Sequence, residues 1–374
     1  MPVYDAVVIG LGPAGSASLR RLQELGVKSI GIERKKEPEN PVVCEEYLPF
    51  KEDIVFITKK PSVKKAYEYI EKAQKLNIFS GIEMRFKGGK KFFLKIRGFT
   101  VDRKEMVKGM LEGAEYYTSN MVTKITKVGS EYVVKTNKGL EFTAKNIVVA
   151  DGYPSTSRRL LGTRNEIEPI NVAVGLNVKM ETPSLNNDIV YMYSSPHTEG
   201  GYAWIIPFKD EISNVGIGIR FNYIKSGVNI VQRFNEFLKE DPWNIFSHSK
   251  ILERPKSRWI PVSGFYGEPV LDRVFFVGDA LGAVNPINGG GIFTSMALGI
   301  LAADAIWLEN PKIYEERSWS EVGSILKIGK AYRKVVDFVY ENWSVGSLLL
   351  RLVPQKLMEK IIKGEKTFIY SLFR

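Results

Sequence analysis

Apolar and polar positions near the N-terminus follow the order strand, turn, helix, strand. The apolar run from Tyr4 to Ile9 predicts a short buried strand, and the stretch from Ser16 to Leu25 has a helical pattern. A second apolar run, Ser29 to Ile32, predicts another strand and ends at an acidic residue, Glu33. Strands that alternate with helices in this way are typical of an α/β fold.

The middle of the chain has a different pattern, with several strand-like runs close together. Because these runs follow one another without helices between them, they predict an antiparallel sheet. The predicted strands are Asn171 to Lys179, Asp188 to Tyr193, Tyr202 to Pro207 and Ser213 to Arg220. An amphipathic helix is predicted after them, from Val228 to Leu238.

The C-terminal part of the chain is predicted to be helical. A long apolar helix is expected from Ile292 to Trp307, and residues 311–374 have a mostly helical pattern in which apolar and basic residues lie side by side, as in Leu348 to Val353. These helices could pack as a cap over the rest of the protein or rest on a membrane surface and admit lipid. The cap is favoured, because apolar helix faces usually build core.

The composition excludes several classes of protein. A single cysteine, Cys44, excludes an intrachain disulfide, and together with His197 and His248 it cannot complete a usual structural zinc site or an iron–sulfur cluster. We therefore expect no metal site. No apolar run reaches the length of about 18 residues that a membrane-spanning helix needs. Asp5 interrupts the apolar N-terminus and no basic segment precedes it, so we expect a cytoplasmic protein without a signal peptide.

The chain is basic, with 53 Lys and Arg against 42 Asp and Glu and a formal net charge of +11. This excess fits a lysine-rich surface, attraction to anionic lipid headgroups, or binding to nucleic acid. Nucleic acid is not expected, because the basic residues form no recognisable nucleic-acid-binding module.

The turn after the first strand has the spacing G-x-G-x-x-G. Gly10 permits the tight turn, Gly12 lets the backbone approach a pyrophosphate, and Gly15 lets helix and strand pack closely. Glu33, at the end of the second strand, can accept hydrogen bonds from a ribose diol. This context predicts a dinucleotide site, and NAD and FAD both fit it. The candidate residues are Gly10, Gly12, Pro13, Ala14, Gly15, Glu33 and Arg34.

Two distant segments favour FAD. The run Ile147 to Gly152, followed by Ser155 and Arg158, resembles the A-D-G-x-x-S-x-x-R segment of the flavin hydroxylase and geranylgeranyl reductase families, and the run Val274 to Ala280 resembles their second flavin signature. The resemblance implies bound FAD. It also implies an arginine near FAD at the start of a helix that runs to Gly113, although a solvated surface arginine is the alternative. The residues implied are Arg103, Ala150, Asp151, Gly152, Gly278 and Asp279.

A glycine-rich loop precedes the long apolar helix. Bare backbone there can lie against an isoalloxazine ring, and the helix N-terminus would favour the negative charge of reduced flavin. The predicted residues are Pro286, Gly289, Gly290, Gly291 and Ile292.

Two further segments resemble geranylgeranyl reductases specifically. Pro41 to Glu46 places Cys44 where that family carries a cysteine, and Tyr202 to Pro207 resembles its Y-x-W-x-F-P signature, with Ile206 in place of phenylalanine. The resemblance implies a catalytic site at Cys44, Tyr202 and Trp204. Tyr202 and Trp204 alternate on one predicted strand, so they share a face and could wall a slot for a flat apolar chain. Ordinary sheet core is the alternative.

The family resemblance implies a Rossmann-like FAD-binding domain of the α/β class, with an inserted antiparallel-sheet substrate domain and a helical C-terminal region. The expected division is an FAD domain at 1–36, 97–165 and 268–310, a substrate domain at 37–96 and 166–267, and a helical region at 311–374.

The resemblance implies an FAD-dependent reductase that saturates C=C bonds of geranylgeranyl chains in isoprenoid or archaeal ether-lipid precursors. Its substrate would be geranylgeranyl diphosphate or a geranylgeranylated glycerophospholipid. The sequence has no second G-x-G-x-x-G in a strand–helix context, which leaves ferredoxin, another protein or NAD(P)H open as the electron donor. Peripheral contact with the cytoplasmic membrane is also left open. Two alternatives stay open: an FAD-dependent monooxygenase of the aromatic hydroxylase or alkene epoxidase type, and a non-enzymatic protein that binds lipid or flavin.

Overall fold

A computed structural model describes residues 3–163, 166–208, 211–224 and 229–373. The strands in these ranges are β1 (Val3–Ile9), β2 (Ser29–Ile32), β3 (Tyr47–Pro49), β4 (Lys75–Phe79), β5 (Gly81–Phe86), β6 (Lys91–Leu94), β7 (Gly98–Val101), β8 (Tyr116–Tyr117), β9 (Val122–Val128), β10 (Glu131–Thr136), β11 (Glu141–Val149), β12 (Val172–Glu181), β13 (Ile189–Ser194), β14 (Tyr202–Pro207), β15 (Ile212–Arg220), β16 (Lys256–Pro261), β17 (Val270–Leu271) and β18 (Val274–Phe276). The α-helices are α1 (Pro13–Glu24), α2 (Val55–Thr58), α3 (Pro61–Ile70), α4 (Arg103–Met110), α5 (Thr156–Leu160), α6 (Ile230–Glu240), α7 (Ile292–Trp307), α8 (Pro311–Arg317), α9 (Ser324–Glu341), α10 (Trp343–Leu352), α11 (Gln355–Lys363) and α12 (Phe368–Phe373).

The first sheet has the order β17-β18-β11-β1-β2-β8, with β10 and β9 added beside β11. Strand β1 pairs in parallel with both β11 and β2, and β11 pairs in parallel with β18. Helices α1 and α7 pack on this sheet, and their apolar residues form one continuous core with it. The predicted α/β fold is confirmed.

The second sheet has the order β16-β12-β15-β14-β13-β5-β6, and β3, β7 and β4 form a third, smaller sheet. The predicted antiparallel sheet is confirmed for β12 to β15. One pair departs from it, because β13 runs parallel to β5 over Ile189 to Ser194. Strand β5 comes from a part of the chain where no strand was predicted.

The bounds of several elements differ from the prediction for local reasons. Helix α1 begins at Pro13 rather than Ser16, because proline is favoured in the first turn, where its missing N–H is not needed. Helix α4 ends at Met110 rather than at Gly113, which has a φ of +74° that a helix cannot adopt. The predicted helix from Val228 is observed as α6, and Val228 itself lies outside the described residues. Position 165, a boundary in the expected domain division, also lies outside them.

The C-terminal helices cover one face of the second sheet. Leu350 of α10 and Met358 of α11 are buried in a cluster with residues of β5 and β6, and the Tyr340 hydroxyl of α9 donates a hydrogen bond to the carbonyl of Gly201 at 2.5 Å. Buried Arg220 on β15 forms an ion pair with Asp337 of α9. These contacts confirm the predicted cap. Among the described residues, no helix is long and apolar enough to cross a membrane.

Helices α1 and α7 approach closely at Gly299. A Cβ added there would overlap the carbonyl oxygen of Ala14, in the first turn of α1. We therefore expect Gly299→Val to lower the free energy of unfolding by about 1–3 kcal/mol through overpacking. Urea unfolding of the purified protein would measure this change.

Gly109→Ala is the matched control, because a Cβ at this helical position meets no atom within 4 Å. This change should leave stability equal or raise it by about 0.5–1 kcal/mol. Equal stability of Gly299→Val and the wild type would contradict the packing described here.

Candidate active site

A cavity of about 390 Å³ lies between the first and second sheets and the C-terminal helices. The loop after β1, the loop before α7, strand β14 and helices α9 to α11 all contribute to its wall. A smaller cavity of about 80 Å³ continues toward the end of β2 and shares Gly12, Glu39, Ala150 and Arg258 with the larger one. Together they form a long cleft with one polar, glycine-rich end and one apolar end.

Backbone without side chains lines the polar end. Gly10 has a φ of +90°, and a Cβ on Gly15 would overlap the carbonyl oxygen of Gly10. Gly10 and Gly12 line the cleft, whereas Gly15 lies behind it and permits the close packing of α1. Pro13 and Ala14 line the larger cavity at the N-terminus of α1. This cradle fits the pyrophosphate of a dinucleotide.

Glu33 lies beside this cradle, at the end of β2. Its side chain is buried, and its carboxylate accepts hydrogen bonds from the backbone N–H groups of Leu11 and Lys35, both at 2.8 Å. Arg34 lines the smaller cavity next to it. The carboxylate thus holds the glycine-rich loop in place and lies where a ribose diol would be expected.

Arg103 lies in the larger cavity, so the alternative of a solvated arginine is wrong. Its side chain is buried at the first residue of α4 and forms an ion pair with buried Glu39. Burial by itself would lower the pKa of Arg103, but the neighbouring Glu39 carboxylate and Cys44 thiol raise it. The guanidinium therefore stays charged inside the cleft. The sequence did not indicate Glu39.

The segment after β11 contributes mainly backbone. Ala150 and Gly152 line the larger cavity, and Gly152 has a φ of +83°. Asp151 lines the smaller cavity, but its carboxylate accepts hydrogen bonds from Ser155 Oγ at 2.6 Å and from the Ser157 N–H at 2.8 Å. The Asp151 side chain therefore caps α5.

The segments around Gly278 and Gly289 complete the polar end. Gly278 and Asp279 line the larger cavity, as do Gly289, Gly290, Gly291 and Ile292. Pro286 is the exception. It is buried outside the wall of the cavity, and its ring lies close to Gly329 of α9.

The three residues predicted for catalysis come together on the wall of the larger cavity. The rings of Tyr202 and Trp204 meet edge to face with centroids 6.0 Å apart, and Cys44 lines the same cavity. Asn214 of β15 connects them, because Trp204 Nε1 donates to its Oδ1 at 3.0 Å and its Nδ2 donates to the Cys44 carbonyl at 2.7 Å. Sequence reasoning missed Asn214, and its only signal was a polar residue inside an apolar strand.

Cys44 is held as a neutral thiol. Burial raises the pKa of the Cys44 thiol, and the charge of Arg103 opposes this shift only in part. The Glu46 N–H donates a hydrogen bond to Cys44 Sγ at 3.3 Å. A neutral thiol is a weak nucleophile, so the environment does not favour covalent catalysis by Cys44.

Two other residues next to Tyr202 were not predicted. The Tyr202 hydroxyl lies 2.7 Å from Glu45 Oε1 and 2.5 Å from the backbone carbonyl oxygen of Asn288. Neither histidine is on the cavity wall, and His197 instead lies between Glu236 and Glu240, at 3.2 and 3.4 Å.

The other end of the cavity is apolar. Aliphatic side chains from β5 and from α9, α10 and α11 line it, among them Ile82, Met84, Val339, Leu350 and Met358. This end begins at the aromatic pair and continues beneath the C-terminal helices. A path of this kind suits an extended hydrocarbon chain.

Replacing Asn214 tests the link between the aromatic pair and the Cys44 segment. We expect Asn214→Leu to lower the free energy of unfolding by about 2–4 kcal/mol, because it leaves the Trp204 N–H and the Cys44 carbonyl buried without partners. Chemical denaturation would measure the loss. Asn187→Leu, at an exposed position, is the control and should change stability by less than about 0.5 kcal/mol. A similar small change in both variants would contradict the role of Asn214.

Comparison with known proteins places this chain among reductases of prenyl lipids. The sequence-family model of the geranylgeranyl reductase catalytic domain matches residues 170–257 of this chain. That range contains Tyr202, Trp204 and Asn214. The digeranylgeranylglycerophospholipid reductase of Methanococcus vannielii is 30% identical, over 80% of this chain and 76% of the relative. The enzyme of the same name from Methanocaldococcus jannaschii is 27% identical, over 98% of this chain and 97% of the relative.

The fold also has a counterpart among solved structures. A geranylgeranyl bacteriochlorophyll reductase-like protein from Thermoplasma acidophilum superposes with a TM-score of 0.81 at 20% identity, covering 100% of this chain and 98% of that one. The similarity therefore covers the fold of the whole chain as well as its sequence. The chain therefore belongs to the geranylgeranyl reductase family and is an FAD-dependent oxidoreductase.

Proposed function

We propose that this protein saturates C=C bonds of geranylgeranyl chains in precursors of isoprenoids or archaeal ether lipids. The observation that carries the proposal is the apolar end of the cavity, which begins at Tyr202 and Trp204, beside the Gly289–Gly291 loop, and continues under the C-terminal helices. Its substrate is a prenyl lipid, either geranylgeranyl diphosphate or a geranylgeranylated glycerophospholipid. The two archaeal relatives, both digeranylgeranylglycerophospholipid reductases, support this class of substrate.

We propose that FAD lies along the cleft. Its dinucleotide part would be held by Gly10, Gly12, Pro13, Ala14, Glu33, Arg34 and Arg103, and its ring end by Ala150, Gly152, Gly278, Asp279, Gly289, Gly290, Gly291 and Ile292. Bound FAD in its reduced form supplies a hydride. FAD fits the glycine-lined backbone at the N-terminus of α1, the buried ion pair of Arg103 and the glycines of the Gly289–Gly291 loop.

The residues of the chain then orient the alkene and exclude water. Tyr202 and Trp204 form one wall against which a flat C=C bond can lie, and the hydrogen bonds of Asn214 fix the Trp204 ring. Positioning of this kind is the main contribution that a protein can make to reduction of an isolated double bond. We also propose the division into an FAD domain at 1–36, 97–165 and 268–310, a substrate domain at 37–96 and 166–267, and a helical region.

We propose that the C-terminal helices contact the cytoplasmic membrane and admit the lipid. Leu352, Phe368 and Leu372 are 78%, 68% and 72% exposed, and exposed basic residues lie near them in the sequence. These basic residues are Arg351, Lys356, Lys360 and Lys366. Neighbouring residues, such as Val353 directly after α10 and Ile361 of α11, line the apolar end of the cavity, so a lipid could pass directly from a membrane into it.

The net charge of +11 supports an acidic protein such as ferredoxin as the electron donor, with NAD(P)H as the alternative. Electrostatic attraction would make the reduction rate fall as salt concentration rises.

The proposed reaction can be tested without knowledge of the natural electron donor. We expect dithionite-reduced protein, incubated without oxygen with a geranylgeranyl phospholipid, to add one pair of hydrogens for each bond reduced. Mass spectrometry of the extracted lipid would detect the gain, and oxidised protein without dithionite is the control. No gain on any prenyl substrate would refute the proposal, and substrate-stimulated oxygen consumption with NAD(P)H would favour a monooxygenase.

The membrane contact can be tested with vesicles that contain anionic lipid. We expect Phe368→Glu to weaken binding about tenfold or more, because a large exposed apolar side chain contributes about 1.5–3 kcal/mol when it is buried. Co-sedimentation would measure binding. Leu271→Glu, which changes a 45% exposed leucine on β17, is the matched control and should bind like the wild type. Equal binding by all three proteins would count against this surface.

A further inference from the structure

Glu45 is a half-buried carboxyl group on the wall of the proposed active site. It follows Cys44 in the segment before β3, and it lines the same cavity as Tyr202, Asn288 and the Gly289–Gly291 loop. Its Oε1 lies 2.7 Å from the Tyr202 hydroxyl oxygen, although the two residues are 157 positions apart in the chain.

The single proton of the Tyr202 hydroxyl cannot satisfy both of the short contacts that this hydroxyl makes. The Tyr202 hydroxyl lies at hydrogen-bond distance from two oxygens, the Asn288 carbonyl at 2.5 Å and the Glu45 carboxyl at 2.7 Å. The hydroxyl has one proton to donate, and a carbonyl oxygen can only accept. If Tyr202 donates to the Asn288 carbonyl, the contact with Glu45 requires a proton on the carboxyl group. Both short contacts are then satisfied, with Glu45 as donor and Tyr202 as acceptor.

The surroundings of Glu45 also favour the protonated form. Burial raises the pKa of Glu45 to about 7, and the hydrogen bond with Tyr202 offsets this only in part. Among the residues that the structure describes, the titratable groups that interact with Glu45 are Cys44, Tyr47 and Tyr202. Burial raises the pKa of each above its ordinary value, so all three are neutral near pH 7. The nearby cation, Arg103, is paired with Glu39.

We propose that Glu45 supplies, through the Tyr202 hydroxyl, the proton that one alkene carbon receives during reduction. This role rests on the proposed function. The π electron pair of the C=C bond would form a C–H bond with the proton of Tyr202, and the hydride that bound reduced FAD would supply would form the second C–H bond. Tyr202 regains a proton from Glu45, and the carboxylate that remains is protonated again from water. Electrons and protons balance, because one hydride and one proton are added to each bond.

Glu45→Gln is the sharpest variant, because glutamine has the same shape and its amide N–H can still donate to Tyr202. We expect this variant to keep its bound flavin and to slow alkene reduction about 10²–10⁴-fold, the usual contribution of a positioned acid. In the wild type, the rate should be constant below about pH 7 and fall above it, since Glu45 acts when protonated. This fall should be absent in Glu45→Gln.

A second variant tests whether the two residues act together. We expect Tyr202→Phe to lose a similar factor, and the double variant to lose no more than either single one, because both changes interrupt the same proton transfer. Glu112→Gln, on the exposed surface after α4, is the control and should behave like the wild type. Additive losses in the double variant would contradict a shared path.

The protonation state can be measured without turnover. Infrared titration of the flavin-loaded protein, without substrate, should show a protonated carboxyl band that disappears as the pH rises through about 7 and is absent from Glu45→Gln. A Glu45 that is already ionised at pH 6, or a Glu45→Gln variant with the wild-type rate, would overturn the proposal. If the wild type reduces no prenyl lipid, both the proposed function and the role of Glu45 are rejected. If the wild type is active and the Glu45→Gln variant is equally active, only the role of Glu45 is rejected.

Discussion

Close approach of backbone to backbone around the first turn of α1 is the constraint on which the rest of the cleft depends. A side chain at Gly15 would overlap the carbonyl of Gly10, and one at Gly299 would overlap the carbonyl of Ala14. A Cβ on Gly10 would overlap the carbonyl of Ala150, and one on Gly278 would lie 2.9 Å from the Ala14 side chain. The three segments with flavin signatures, at Gly10–Gly15, Ala150 and Gly278, can therefore come together because glycines at the contacts carry no side chain. The space that they leave is open to a ligand that binds backbone N–H groups.

The cleft combines charged and neutral groups in a definite order. At the polar end, Glu33 accepts hydrogen bonds from backbone N–H groups and Arg103 is paired with Glu39, so both of these charges have partners. Farther in, burial keeps Cys44 neutral and raises the pKa of Glu45 toward neutrality. This gradient suits a reaction in which an anionic cofactor is bound at one end and an uncharged hydrocarbon reacts at the other, since unpaired charge near the alkene would be costly to bury.

The C-terminal helices close the cavity and also present an apolar and basic surface. The Arg220–Asp337 ion pair and the Tyr340 hydrogen bond attach α9 to the second sheet, and Leu350 and Met358 turn apolar faces inward. Leu352 and Phe368 point away from the core. The cap and the proposed membrane contact, which the sequence presented as alternatives, are compatible, because they would use different faces of the same helices.

Local patterns in the sequence determined the elements and the flavin signatures of this protein. Ser29–Ile32, Tyr202–Pro207 and Ile292–Trp307 form elements with the predicted bounds, because periodicity and glycine spacing are properties of short segments. Tertiary structure alone decided the contacts around Tyr202. No motif position singles out Glu45, Asn214 or Asn288. Glu45 and Asn288 meet Tyr202, and Asn214 meets Trp204 and Cys44, only after strands and loops far apart in the chain have packed. Burial at that meeting point, rather than residue type, sets the charge of Glu45.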